Sequence, residues 1–91
     1  MFTSLSTRKY EKSFKKLKRS GKFNEEELNK VIDVLCMGRV LDPIYKDHAL
    51  HGEYEGYREC HIRGDILLIY EIKNQELILV LINIGTHSEL F

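Results

Sequence analysis

The chain has one proline, two cysteines and six glycines in 91 residues, and it has no long apolar run. Nothing approaches the roughly 18 consecutive apolar residues of a membrane span, which sets a spanning protein aside. Residues 1–12 lack the apolar stretch and small-residue cleavage site of a secretory signal, so a cytoplasmic protein is expected. Cys36 and Cys60 are too few for a disulfide framework and lack zinc-like spacing, and they read as buried free thiols. No P-loop, dinucleotide-binding glycine pattern or GxSxG elbow occurs, so no cofactor is expected. Repeats, linkers and low-complexity segments are also missing. What is present, 43% hydrophobic and 31% charged residues, suits one folded domain spanning 1–91.

The formal charge of zero conceals an asymmetry. Residues 1–22 hold eight of the fourteen basic residues (Arg8, Lys9, Lys12, Lys15, Lys16, Lys18, Arg19, Lys22) and the single acid Glu11, a net +7, which leaves −7 for the rest. A polyanion responds to the local patch and not to the total, so an anionic partner is compatible with a neutral chain.

Apolar spacing predicts the elements. Residues 2–6 alternate as a short half-buried strand. Tyr10, Phe14 and Leu17 form one stripe on a helix over about 7–20, with lysines on its other faces and Gly21 as its stop. Asn24 and Glu27 resemble a capping box opening a second helix, lined by Leu28, Val31, Ile32 and Leu35 and ending near Gly38. The short connection predicts an antiparallel helix pair. After Pro43 the period changes. Tyr57, Glu59, His61 and Arg63 alternate with Arg58, Cys60 and Ile62, so the first set shares one strand face and Cys60 points to the core. The runs Ile66–Tyr70 and Leu77–Ile82 read as strands covered on both faces, with turns at Gly64 and at residues 73–76, and residues 85–91 as a tail. The expected class is α+β in the order β-α-α-β-β-β, two helices on a small, mostly antiparallel sheet.

All four histidines, His48, His51, His61 and His87, lie in the second half. Imidazole exchanges protons near neutral pH, and RNA carries its own nucleophile in the 2′-hydroxyl. A base, an acid and positive charge near the phosphate then suffice for cleavage. Asp65 follows His61 across the Gly64 turn, where a carboxylate would orient or charge an imidazole. Arg63 shares the parity of His61 and is a candidate for steadying the phosphate, with simple solvent exposure the alternative. Two histidines three apart, without cysteines or paired acids, are not a metal site.

The segments Tyr45-Lys46-Asp47-His48-Ala49-Leu50-His51-Gly52, Gly56-Tyr57-Arg58-Glu59-Cys60-His61-Ile62 and Asp65-Ile66-Leu67-Leu68-Ile69-Tyr70, with the ending Gly85-Thr86-His87-Ser88-Glu89-Leu90-Phe91, resemble the YafQ family of toxins. That family belongs to the RelE/ParE superfamily of type II toxin–antitoxin systems, and the resemblance runs along the whole chain in the same element order. It implies ribosome-dependent cleavage of mRNA in the A site, inhibition of translation, and neutralisation by a cognate antitoxin through which operator DNA is bound. It places functional positions at His48, His61, Asp65, His87 and Phe91, and does not extend to His51. His87 is then expected as the acid at the departing 5′-oxygen, and His61 or His48 as the base. Phe91 is expected to stack on a base, and Lys15 and Lys16 to meet RNA. The rival reading is a ParE-like binder of DNA gyrase without enzymatic activity. A third is an interaction module whose histidines only pack.

Overall fold

The computed structural model describes residues 1–21 and 23–91; Lys22, counted above in the basic run, lies outside the described residues. Strand β1 (Thr3–Ser6) leads into helix α1 (Arg8–Ser20) and helix α2 (Glu25–Cys36). A short strand β2 (His48–Ala49) follows, flanked by one-turn 3-10 helices at Pro43–Tyr45 and Gly52–Tyr54. Strands β3 (Arg58–Arg63), β4 (Ile66–Lys73) and β5 (Ile78–Thr86) then form a meander that ends in a one-turn helix, α3 (His87–Leu90).

The helix ends follow their residues. Thr7 caps α1 by accepting from the Tyr10 amide at 3.0 Å, and Gly21 stops it in the left-handed conformation at φ 71°. Asn24 caps α2 by accepting from the Glu27 amide at 3.0 Å. Only this half of the expected box forms, because the Glu27 carboxylate accepts from the Tyr45 hydroxyl instead, at 3.1 Å.

The sheet order is β1-β5-β4-β3-β2. The three meander strands pair antiparallel, as their short connections require, and β2 adds antiparallel to β3. The first strand inserts beside the last one, parallel to β5. All four of its residues are exposed, so it is an edge strand and not the half-buried one that alternation predicts.

Both helices contribute to one core. Tyr10 and Leu17 of α1 and Leu28, Val31 and Leu35 of α2 cluster with Cys60, Ile62, Leu68, Tyr70, Leu79, Leu81 and Ile84 of the sheet. Full burial of an aliphatic side chain such as Leu28 or Leu79 contributes about 1.5–3 kcal/mol. Leu67 and Ile69 are equally buried but stand outside this cluster, on the opposite sheet face. All of Ile66–Tyr70 is therefore covered on both sides, as its continuous apolar run predicts. The second run behaves differently: Leu79 and Leu81 are buried while Ile78, Val80 and Ile82 are half-buried, because the opposite face is not fully covered there. Leu77 falls in the turn, at φ 55°, and β5 runs on to Thr86. No described helix is long and apolar enough to cross a membrane.

Candidate active site

Strand geometry brings three titratable side chains together. Glu59 and His61 are two apart on β3 and so share a face, and His48 of β2 is paired directly opposite Glu59. The rings of His48 and His61 lie 6.5 Å apart between centroids. The Glu59 carboxylate sits between them, Oε1 being 3.5 Å from His48 Nε2 and 3.8 Å from His61 Nε2. Glu59 is only 6% exposed, whereas His48 keeps half its side chain in solvent.

The loop bearing His48 is pinned from beneath. Asp47 accepts from Arg58 Nη2 at 3.0 Å and Nε at 3.4 Å, and from the hydroxyl of the fully buried Tyr70. Lys46 holds a left-handed conformation at φ 50°, which aims its carbonyl at the His48 ring; Nδ1 donates to it at 2.7 Å.

A second group forms at the end of β5. The row His61–Leu67–Gly85 runs across β3, β4 and β5, so Gly85 faces the same side as His61 two strands away, about 10 Å at the usual strand spacing. His87 opens α3 two residues later. Thr86 and Glu89 form a reciprocal capping box: the Glu89 amide donates to Thr86 Oγ1 at 3.4 Å, and the Thr86 amide to Glu89 Oε1 at 2.9 Å. Thr86-x-x-Glu89 is the sequence pattern of that box, and it signals the helix where a plain tail was expected. Gly85 lets α3 approach, since a Cβ there would stand 3.2 Å from Glu89 Oε1 and 3.4 Å from Leu90 Cδ2. The Thr86 amide and the Lys16 ammonium, 3.1 Å away, hold the Glu89 carboxyl below the usual carboxylate range. Phe91 ends the chain against Tyr54, edge to face at 5.2 Å, and 5.3 Å from the His87 ring. It is 49% exposed, so its ring is open to a stacking partner.

The expected residues thus fall into two groups, His48 with His61 and His87 with Phe91. Asp65 joins neither. It is exposed on the Gly64 turn, and among the described residues no hydrogen bond or ion pair links it to His61. The carboxylate beside the imidazoles is Glu59, which alternation placed on the His61 face but which was not picked out, because β2 was not foreseen. Arg63 is exposed, as the alternative reading has it. The β3–β4 register slips between His61 and Arg63, and the guanidinium lies 3.9 Å from Glu27 on α2. Lys15 is exposed and Lys16 is paired with Glu89. Lys16, Phe23, Arg63, Asp65, Thr86 and Glu89 border a cavity of about 620 Å³ between the helices and the β3–β4 turn. Cys60 is wholly buried, and burial pushes its thiol up to about 12, which removes it as a nucleophile. Among the described residues no group of three or more His, Cys, Asp or Glu side chains is arranged to hold a metal ion.

Residues 3–91 match the model of a family described as bacterial toxin of type II toxin–antitoxin system, YafQ. A metal-bound toxin from Helicobacter pylori superposes with a TM-score of 0.91 at 43% identity, covering all of both chains. YafQ in the DinJ–YafQ complex of Escherichia coli superposes with a TM-score of 0.86 at 27% identity, over 100% of this chain and 99% of that one. The mRNA interferase toxin YafQ of Escherichia coli K12 is 41% identical over 51 residues, 56% of this chain and 53% of that protein. The chain spans about half the length, or less, of the curated relatives it matches. The match over nearly every residue, on the same two-helix, five-strand frame, places this chain in the YafQ family of type II toxin–antitoxin toxins.

Proposed function

We propose that this toxin is a ribosome-dependent endoribonuclease that cuts mRNA in the A site and so arrests translation in the cytoplasm. The observation carrying the reading is the convergence of His48 and His61 on one buried carboxylate, on the sheet face that Gly85 shares and that leads to His87. His48 or His61 takes the 2′-hydroxyl proton at Nε2. The 2′-oxygen attacks phosphorus, the bond to the 5′-oxygen breaks, and His87 protonates the departing oxygen. A 2′,3′-cyclic phosphate and a 5′-hydroxyl result, with no outside reactant. Phe91 stacks on a base, a contact worth roughly 1–3 kcal/mol. Arg63 and Lys16 line the neighbouring cavity, and with Lys15 they are the basic groups offered to the RNA; Asp65 lines the same cavity. Few of these groups are held against one another in the free protein, so the ribosome-bound substrate supplies the alignment.

A cognate antitoxin is the second expected partner, as the DinJ–YafQ toxin–antitoxin complex of Escherichia coli supports. An acidic or amphipathic segment that orders on the lysine-rich α1 and the cleft fits the charge of this chain. Operator DNA is reached through that partner.

Mapping transcript 5′ ends after induction, with and without ribosomes, tests the reading. Cuts that need ribosomes and disappear in His87→Gln support it. Intact mRNA with blocked supercoiling would instead indicate a gyrase-binding toxin.

A further inference from the structure

The helix that presents His87 depends on outside support. α3 is a single turn of four residues, and so short a helix does not offset the entropy of its own nucleation. Where His87 and Phe91 stand is therefore set by what α3 leans on. The capping box closes the turn locally, and the Lys16 pair with Glu89 reaches across to α1. Both partners of that pair are exposed, at 76% and 38% of their side chains, and an exposed ion pair contributes little.

The other support is Tyr54. Its ring meets Phe91 edge to face, with centroids 5.2 Å apart and planes at 76°, an arrangement that aromatic quadrupoles favour. The hydroxyl stands 3.5 Å from the Leu90 carbonyl, too long to carry the contact, so the ring carries it. Phe91 passes the constraint on. Its ring lies 5.3 Å from that of His87, and its amide donates to the His87 carbonyl at 3.0 Å.

Tyr54 is itself fixed. It closes the 3-10 turn Gly52–Tyr54, which Gly52 enters in the left-handed region at φ 71°. The Glu55 amide donates to the Gly52 carbonyl at 3.1 Å, the Tyr57 amide to that of Tyr54 at 3.0 Å, and the Leu50 amide to that of Tyr57 at 2.9 Å. This bonded connection runs from β2 to β3, the strands that carry His48 and His61. Tyr54 is thus built into the frame of one histidine group and packed against the other.

We propose that Tyr54 is a positioning residue that sets the two groups relative to each other: its ring orients Phe91, and through Phe91 the His87 imidazole, against the hairpin bearing His48 and His61. Acid and base must reach one phosphate together, and a misplacement of about 1 Å costs on the order of a hundredfold in rate. The inference rests on the nuclease reading above and adds to it a residue that belongs to neither group.

Two measurements test it. In NMR of the free toxin, nuclear Overhauser effects should link the Tyr54 and Phe91 rings. Tyr54→Leu should move the ring resonances of Phe91 and His87 while those of the buried Leu68 stay. A missing ring–ring effect, or Phe91 and His87 resonances indifferent to Tyr54→Leu, overturns the inference whatever the activity. In ribosome-bound cleavage, Tyr54→Leu should lower kcat by roughly ten- to a hundredfold, and Tyr54→Phe, which keeps the ring, should recover most of the rate. Because the effect passes through Phe91, Tyr54→Leu should cost nothing further in a Phe91→Leu chain. A folded Tyr54→Leu toxin that cuts at the wild-type rate, or full additivity of the two substitutions, also overturns it. A wild-type chain that cuts nothing removes the nuclease reading instead, and the ring contact still decides the geometry.

Discussion

The hydroxyl of Tyr70, fully buried at the centre of the sheet, donates to the carboxylate of Asp47 in the loop that presents His48. The core and the loop bearing His48 are joined through that bond. Burial, and then the Asp47 partner, push the phenol well above its ordinary value, so it remains a donor throughout the working range. Tyr70→Phe keeps the ring and removes the donor. A hydrogen bond to a charged group contributes about 1.5–3 kcal/mol, so the unfolding free energy should fall by that amount and the urea midpoint with it. Arg58 still holds Asp47, and the fold should survive. An unchanged midpoint would show that the bond contributes nothing net.

Glu89 gives the helix of His87 a pH dependence. Its carboxyl is held below the ordinary glutamate value, first by the Thr86 amide and then by Lys16. A lowered folded-state value stabilises the fold fully above the ordinary value of about 4.3, and that stabilisation disappears as pH falls through the folded-state value. The Thr86 amide proton, followed by NMR on acidification, should therefore shift with a midpoint below the ordinary one. Glu89→Gln retains an acceptor for the capping box and loses the ion pair, so α3 should persist without that acid transition. A transition at the ordinary value in the wild type would count against the box.

The two thiols should differ in reactivity. Cys60 is wholly buried with its thiol pushed up to about 12, whereas Cys36 is half-buried. Iodoacetamide at about pH 8 should label Cys36 first and leave Cys60 until the chain unfolds. Mass spectrometry after timed quenching reads the order directly; early modification of Cys60 would contradict the packing.

Leu77 is the plainest local conflict in the chain. It occupies the left-handed region at φ 55°, is half exposed, and its carbonyl accepts from the Thr3 amide at 2.9 Å. That conformation costs a bulky L-residue about 1–2 kcal/mol, and glycine escapes this while losing up to about 1 kcal/mol in unfolded-state entropy. Leu77→Gly should therefore raise the thermal midpoint slightly, by up to about 1 kcal/mol of stability. A lower midpoint would mean that the side chain packs better than its exposure indicates.

Much of this was legible in order and periodicity. The stripe Tyr10, Phe14, Leu17 and the stops at Gly21 and Gly38 gave both helices nearly to the residue, and the β3 parity placed Cys60 and Ile62 in the core. What was hidden is tertiary. A two-residue strand such as β2 has no period of its own, so the placing of His48 opposite Glu59 could not be read. The bulge after His61 broke the alternation that had put Arg63 beside it. The partner of Lys16 lies 73 positions away, beyond any local pattern. Asp65 was singled out by proximity along the chain, whereas the register favoured Glu59, two residues before His61 on the same face.

The pairing of β1 with β5 has a kinetic consequence. Thr7, at the start of α1, donates its amide to the Leu81 carbonyl at 3.0 Å and its hydroxyl to that of Ile82 at 2.7 Å. Strand β1 thus finds its docking place only in β5, the strand that carries the helix of His87. Closing so long a loop is slow, and it cannot begin until β5 exists. In refolding, the amides of β1 should therefore gain protection against hydrogen exchange no earlier than those of β5.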